Sequence, residues 1–588
     1  MSYTAPTKDL LFACMELADL EGIQKLPGFE EVNQELVEAI LEEAGKFGSE
    51  VLAPMNHSGD MQGARLIDGQ AVTADGWKEA YQQFIESGWN GLPFDPEVGG
   101  QGLPWIVSTA VNEIWHASNM SFALCPLLTQ GAIEAVSAHG SEQQKETYLA
   151  KLVSGEWTGT MNLTEPQAGS DLAAVRTKAK PNGDHYLISG QKIFITYGDH
   201  DMTENIIHLV LARLPDAPEG VKGISLFIVP KYLQDEDGNW TIRNDVKTLK
   251  LEHKLGIHAS PTAVLGYGDD DSAVGYLIGG EHQGLMCMFT MMNVARHSVG
   301  VQGYALADRA YQQAVDYASN RMQGAAIDGH GGERVNIIDH PDVQRLLWTQ
   351  KCRNEALRAL AMVSSSCLDK SERHTDESTR KAADDMVEIL TPIVKGYATE
   401  LGLENVSLAL QIYGGMGFIE ETGAAQHYRD QRITPIYEGT TGIQAKLMRD
   451  GGQLAKRVIG YIRQDVQTLQ GLEDSMLQAL TDGLDQLAHV VDVLAAQPAE
   501  NMRQIAAVSE PYLRLWGIVT CGWQMAKSAS RAKSRIEAGE TDPFFATKVR
   551  TAEFYFSSEM PMMHTMLDRI NTSGGLIAAT NIEDFKVA

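Results

Sequence analysis

Two short stretches carry the side chains best suited to chemistry. Tyr437-Glu438-Gly439-Thr440-Thr441-Gly442 sets one carboxylate beside a glycine and two hydroxyls. A carboxylate withdrawn from water has its pKa raised and becomes a better general base. The adjoining glycine lets the backbone approach a ligand closely. Leu163 to Asp171 reads Leu-Thr-Glu-Pro-Gln-Ala-Gly-Ser-Asp, a small-residue loop in which Thr164 and Ser170 offer hydroxyls to a flat or phosphorylated ligand. Far apart in sequence, the two make sense if the fold brings a base and a large cofactor together. By residue type alone, Glu438 reads as a surface glutamate and the 163–171 loop as a capped turn.

The elements that must hold these stretches can be read from periodicity. Residues 1–160 read mainly as helices: Leu36, Ile40, Leu41 and Ala44 recur at helical spacing, and Ser141 precedes a polar first turn as a helix cap. From 161 to 280 the texture is β. Pro181-Asn182-Gly183-Asp184 is a hairpin turn, followed by β-rich runs at 186–196, 205–213, 223–230 and 261–267. Strands at this density predict a compact β-barrel or sandwich. Helix returns from 281 to 456, with His340-Pro341-Asp342 opening one helix and Gly414-Gly415-Met416-Gly417 interrupting another. Residues 457–588 form a further helical segment. Leu477, Leu480, Leu484, Leu487, Val491 and Leu494 make an apolar seam that Pro498 ends, and Ser509-Glu510-Pro511 opens the next helix. That segment is a packing domain, or it shapes the substrate entrance or stands in for subunit contacts. The expectation is an α+β, mainly α protein of four regions. Their order does not alternate as βαβ, and no GxGxxG joins a strand to a helix, so a Rossmann domain is rejected.

Composition narrows the function. A formal charge of −29 repels nucleic-acid phosphates and anionic membranes. No run of about 20 apolar residues is present, and the N-terminus lacks a basic segment followed by an apolar one. A cytoplasmic location is expected, with neither nucleic acid nor membrane as partner. Six cysteines, Cys14, Cys125, Cys287, Cys352, Cys367 and Cys521, lack CxxC spacing and read as reduced thiols, not as a disulfide frame or a zinc site.

The two opening stretches, together with four others, resemble the acyl-CoA dehydrogenase flavoproteins. The Thr-Glu-Pro-x-x-Gly-Ser-Asp pattern implies that Leu163 and Thr164 lie against the flavin and that Ser170 meets flavin phosphate and the CoA moiety. Phe194-Ile195-Thr196, otherwise a core strand, is similar to the family's aromatic-Ile-Thr triplet. Phe194 stands where Trp is usual and can cover a ring face, but it lacks the indole N–H. Lys254 to Thr262 resembles a Lys-x-Gly-x-Arg-x-Ser-x-Thr motif with His258 in place of Arg. Asn293-Val294-Ala295-Arg296 is read as opening a long helix. Asn293 and Arg296 are implied at the substrate, and Ala295 occupies the position where some branches carry their base. Arg321, a surface arginine by default, resembles one that reaches the flavin pyrophosphate of a neighbouring subunit. Gln411, Gly414 and Gly415 resemble the residues that receive the adenosine diphosphate of FAD from the partner. The match continues through Glu421 and Asp430 and departs at Gln426, read as a missing surface cation. Thr440 and Gly442 are implied at the cofactor and Gly439 at the substrate.

The resemblance implies FAD as cofactor, a homodimer, an acyl-CoA substrate and electron-transfer flavoprotein as electron acceptor. It also implies the reaction. Glu438 removes the proton α to a thioester carbonyl, donors at the carbonyl oxygen support the enolate-like charge, and the β-hydrogen leaves as hydride to flavin N5. An acyl-CoA oxidase and an inactivated CoA-ester-binding member remain alternatives. The tail, His258 and the 251–262 stretch look most like bacterial members acting on 3-methylmercaptopropanoyl-CoA. Short- or medium-chain fatty acyl-CoA is the other reading, because an apolar pocket separates substrates differing by one methylene by only about 1–3 kcal/mol. Met286, Met288, Met291 and Met292 line such a pocket or belong to a helix core.

Overall fold

The computed structural model describes residues 3–270, 273–327, 332–448 and 450–587. Helices fill the first region, as their patterning predicts. Ser141 Oγ accepts from the Gln144 N–H, and the Gln144 side chain takes the Ser141 N–H in return, a reciprocal cap that fixes the start of helix 142–154. The longest helix there, α1 (Trp105–His139), is buried over most of its length and bends at Asn119. One small ribbon, Arg65–Ile67 paired with Gln70–Val72, departs from the all-helical expectation. Its turn is Asp68-Gly69, both with positive φ, a tight-hairpin signature present in the sequence.

The middle region is an eight-stranded sheet. Its strands are β1 (Trp157–Asn162), β2 (Lys178–Asn182), β3 (His185–Thr196), β4 (Asn205–Arg213), β5 (Ile224–Pro230), β6 (Val246–Leu251), β7 (Thr262–Tyr267) and β8 (Ala273–Ile278). The order is β6-β7-β3-β8-β5-β4-β1, with β2 bridging β3 and β4. β3 is the long central strand: its first half pairs with β2 and β8 and its second half with β7, so the sheet curls around it. β1 and β4 are parallel, and the rest of the path is antiparallel. β4 and β5 are buried almost throughout, which is why they read as unbroken apolar runs and not as alternations.

Three long helices follow: α2 (Gly284–Asn320), α3 (Pro341–Arg373) and α4 (Glu377–Ile412). Asn293 does not open its helix. α2 begins nine residues earlier at Gly284, and Asn293 lies more than two turns inside it. Glycines let α2 and α4 cross in close contact. A Cβ on Gly402 would lie 2.0 Å from the Gly303 carbonyl oxygen, and one on Gly300 would lie 2.7 Å from that of Val394. Neither position accepts a side chain without separating the helices, and this crossing sets α4 against the part of α2 that carries Arg296.

The final region supplies α5 (Asp474–Ala495), α6 (Ser509–Glu537) and α7 (Pro543–Ser558). Leu480, Leu484, Leu487, Val491 and Leu494 form the buried face of α5, and Leu477 is half-buried at its margin. α6 lies on α4: a Cβ on Gly517 would penetrate the Tyr397 ring, and Arg514 Nη1 donates to Glu404 at 2.9 Å. Lys548 of α7 pairs with Glu355 of α3 at 2.9 Å, both nearly inaccessible. Among the described residues no helix is long and apolar enough to cross a membrane.

Candidate active site

Glu438 follows the short helix Ala424–Gln431 and a turn through Pro435, and it precedes the single helical turn Thr441–Gln444. It is half-buried, with φ +53, and Gly439 follows at φ +89. A left-handed conformation costs a non-glycine residue roughly 1–2 kcal/mol, so the surroundings must impose it. Four contacts do so. Tyr437 Oη donates to Gln302 on α2. Gln444 Nε2 donates to the Glu438 carbonyl at 3.0 Å. Lys395 Nζ, on α4, donates to the Gly439 carbonyl at 2.6 Å. Thr441 Oγ1 donates to Glu400, also on α4, at 2.6 Å.

Burial raises the Glu438 carboxyl above the ordinary glutamate range, while the positive charges of Arg296 and Lys395 pull it back. Arg296 is half-buried; its Nη1 donates to Asn293 Oδ1 at 3.4 Å, and its guanidinium lies 5.7 Å from the Phe289 ring centroid. Three of the four neighbouring methionines, Met288, Met291 and Met292, belong to the helix core, and Met286 is exposed.

The second stretch forms its own anchored loop. Leu163 and Thr164 are half-buried and Ser170 is exposed. The Thr164 carbonyl accepts from the Ile193 N–H at 2.9 Å, which ties this loop to the end of β3. Glu165 organises the interior. Its buried carboxylate accepts from the Arg176 and Thr177 N–H groups, the Thr177 hydroxyl and Lys192 Nζ at 2.6–3.1 Å. Lys192 Nζ also donates to the Leu163 carbonyl at 3.0 Å. Burial alone would push Glu165 up, but Lys192 and these donors hold it down at about 2. Burial lowers Lys192 to about 8 even though Glu165 raises it, so both are mainly ionised at neutral pH.

Phe194 is 60% exposed with φ +60, while Ile195 is buried and Thr196 half-buried. An aromatic ring left open to solvent on a strained backbone is unusual for a core strand and marks a surface built to be covered. The 254–262 segment joins this surface to the Glu438 loop. Thr262 pairs with Thr196 across β7 and β3, and the Ile257 N–H donates to Asp430 in the helix leading to Glu438. His258 has a structural place: Nδ1 meets Asp60 at 2.8 Å, and Asp60 also binds Arg429 at 2.6 Å. Gln426 is not a surface position. It is buried, with Nε2 shared between Asn56 and Asp430, where a lysine or arginine would need a buried counter-charge.

Four predicted residues lie elsewhere on the chain. Arg321 follows α2, 25 residues beyond Arg296, about 37 Å along a helix rising 1.5 Å per residue. Gln411 lies 16 residues beyond Lys395 on α4, about 24 Å by the same rise, and Gly414 and Gly415 follow it. These two ends meet. The Tyr317 and Tyr413 rings stack at 4.2 Å, and Tyr413 Oη donates to the Gln313 carbonyl at 3.1 Å. Arg321, Gln411, Gly414 and Gly415 are all exposed and form a second cluster remote from Glu438. Thr440 and Gly442 are exposed beside Glu438, and Gly439 is half-buried.

Sequence reasoning missed Lys395, Gln302, Gln444, Glu165 and Lys192. Lys395 had a signal: it is the lone charge in the run Ile389 to Ala398.

Four family models match the chain in order: acyl-CoA dehydrogenase N-terminal domain over 34–156, middle domain over 160–269, C-terminal domain over 282–452, and acetyl-CoA dehydrogenase C-terminal like over 458–580. The chain is 46% identical over 592 aligned residues to the 3-methylmercaptopropionyl-CoA dehydrogenase of Ruegeria pomeroyi, covering 99% of this chain and 100% of that one. It is 33% identical to a butyryl-CoA dehydrogenase of Syntrophomonas wolfei, with 95% of each chain covered. Its fold matches an acyl-CoA dehydrogenase of Bacillus anthracis solved with FAD, with TM-score 0.72, 22% identity, 95% of this chain and 91% of that one.

Proposed function

This chain belongs to the acyl-CoA dehydrogenase family, and on that premise we propose that it oxidises 3-methylmercaptopropanoyl-CoA to methylthioacryloyl-CoA, with Glu438 as the base. The observation that carries the assignment of the base is one glutamate whose backbone is held at φ +53 by contacts from two helices to its turn, with a carboxyl under the electrostatic influence of Arg296 and Lys395. The residues present fit FAD: an exposed, strained aromatic at Phe194 adjoins an anchored loop bearing Thr164 and Ser170. Bound FAD supplies the acceptor for the hydride that leaves the β-carbon. The protein does the rest. Glu438 takes the α-proton, its backbone N–H offers a donor to the thioester oxygen, and the positive charges of Arg296 and protonated Lys395 oppose the rise that burial imposes on the carboxyl. The product is the trans-2-enoyl thioester.

The remote cluster supports a homodimer in which Arg321, Gln411, Gly414 and Gly415 of one subunit serve the FAD of the other. More than 20 Å of helix separates them from the Glu438 neighbourhood of their own chain, at a rise of about 1.5 Å per residue. Arg321→Ala is expected to lower flavin retention on gel filtration by about tenfold while leaving thermal stability unchanged, because an exposed guanidinium contributes little to folding and suits a diphosphate well. Full flavin content in that variant would contradict the shared site. Electron-transfer flavoprotein is the proposed acceptor.

The butyryl-CoA relative favours a second substrate class, short straight-chain acyl-CoA. A thioether sulfur and a methylene differ little in size, so the expected preference is modest, within about 200-fold. Anaerobic flavin bleaching against 3-methylmercaptopropanoyl-CoA, butyryl-CoA and octanoyl-CoA checks this. The methylthio thioester is expected to give the highest kcat/KM, and a clear preference for butyryl-CoA would replace the substrate while keeping the reaction. Slow reoxidation in air is expected; rapid peroxide release would indicate an oxidase.

A further inference from the structure

We propose that Lys395 is a positioning residue for the general base: its buried ammonium grips the Gly439 carbonyl and holds the Glu438–Gly439 turn in its reactive shape. The inference rests on Glu438 being the base and adds a device that acts through it.

Lys395 is wholly inaccessible, in an otherwise apolar stretch of α4. Leaving an ammonium there costs several kcal/mol unless specific partners answer it. Its hydrogen-bond acceptor is the Gly439 carbonyl, at 2.6 Å. The charges facing it are Glu438 from the loop, Arg296 from α2 and Glu400 from its own helix. The final region seals the site from behind: a Cβ on the adjacent Gly396 would meet Leu513 of α6 at 2.7 Å and Gln444 at 3.1 Å.

The geometry explains why the charge is kept. In a trans peptide the C=O and the following N–H point in opposite directions. Gln444 holds the Glu438 carbonyl at 3.0 Å and Lys395 holds the Gly439 carbonyl at 2.6 Å, so both peptide planes of the turn are fixed from the protein side. This is the constraint that a glutamate at φ +53 requires. A neutral donor would supply the hydrogen bond. Burial lowers Lys395 to about 7, with Glu438 and Glu400 raising it and Arg296 lowering it; the ammonium form that prevails on the acid side additionally favours the carboxylate form of Glu438 against burial.

The test is Lys395→Met in the full-length, flavin-loaded protein, read by anaerobic stopped-flow reduction with butyryl-CoA and 3-methylmercaptopropanoyl-CoA. The reduction rate is expected to fall on the order of 10²-fold, the scale of a misplaced catalytic group. The flavin spectral shift on binding crotonyl-CoA is expected to titrate with little change in Kd. The acid limb of the rate profile moves to higher pH, because the charge that lowered the Glu438 pKa is gone. A purely structural lysine would change stability without moving that limb. A rate within threefold of wild type, with an unshifted profile, overturns the proposal. If Lys395→Met does not fold, Lys395→Gln, which keeps an N–H but no charge, is measured in the same way: a slowed rate with a shifted limb supports the proposal and a wild-type rate and limb overturn it. Failure of the base assignment itself is separable, since an active Glu438→Gln enzyme removes the base whatever Lys395 does.

Discussion

Glu438→Gln is expected to fold, retain FAD and bind acyl-CoA, yet to lose roughly 10²–10⁴-fold in the rate of flavin reduction, the usual contribution of a positioned general base. The substitution is nearly isosteric. It leaves the backbone contacts from Gln444 and Lys395 in place, because both go to main-chain carbonyls and not to the side chain. What disappears is the lone pair able to take the α-proton. At about 1.36 kcal/mol per decade, the loss corresponds to about 3–5 kcal/mol of barrier. The wild-type pH profile carries a related expectation. Burial is the largest influence on Glu438 and raises its pKa, with Arg296 and Lys395 opposing. The active form is deprotonated, so kcat/KM must fall as pH drops, on a limb lying above the ordinary glutamate pKa of about 4.3.

Lys192→Met is expected to be the most destabilising single change near the proposed flavin surface, costing about 3–5 kcal/mol, because it leaves a buried carboxylate without its counter-charge. Lys192 is inaccessible and Glu165 nearly so. Glu165 in turn holds Arg176 and Thr177, and Lys192 holds the Leu163 carbonyl, so the loop bearing Thr164 and Ser170 loosens with the pair. Lower flavin content should accompany a lower melting temperature. The double variant Lys192→Met with Glu165→Gln should recover part of the loss, since the orphaned charge is gone; a double variant no better than the single would contradict the account. The acid response follows the same pair. The Glu165 pKa is depressed to about 2, so its contribution is in force above the unfolded value near 4.3 and fades as pH falls toward 2.

Much of this architecture was legible because local rules and tertiary packing agree. The Ser141 cap, the turn at Asn182-Gly183 and the α5 seam each follow from short-range chemistry that the fold preserves. Where they diverge, the cause is physical. Asn293 to Arg296 is read as opening a long helix, but α2 begins at Gly284, where glycine is forced by contact with Ser225 and Leu226 backbone. Gln426 reads as an exposed position because a cation is usual there, whereas it is buried, held by Asp430 one helical turn on and by Asn56 from a segment far away in sequence.

The site divides in the same way. Glu438, Thr164, Ser170 and Phe194 stand in contiguous motifs and could be found from them. The residues that make those motifs function could not. Lys395 meets the Gly439 carbonyl only because α4 packs beside the Glu438 turn, and Lys192 meets Glu165 only because β3 runs beside the 163–171 loop. Neither pairing has a fixed spacing for a motif to record. Arg321 and Gln411 show the opposite case, since their motifs are clear and one chain still leaves them far from Glu438.

The most direct test is a single turnover: flavin-loaded wild type and Glu438→Gln mixed anaerobically with 3-methylmercaptopropanoyl-CoA, protonated or α-dideuterated, with flavin absorbance followed. Wild type should bleach within one turnover and slow on α-deuteration, while the variant should bind the thioester and stay oxidised on that timescale. Equal bleaching by both proteins would mean that the α-proton goes to some other group.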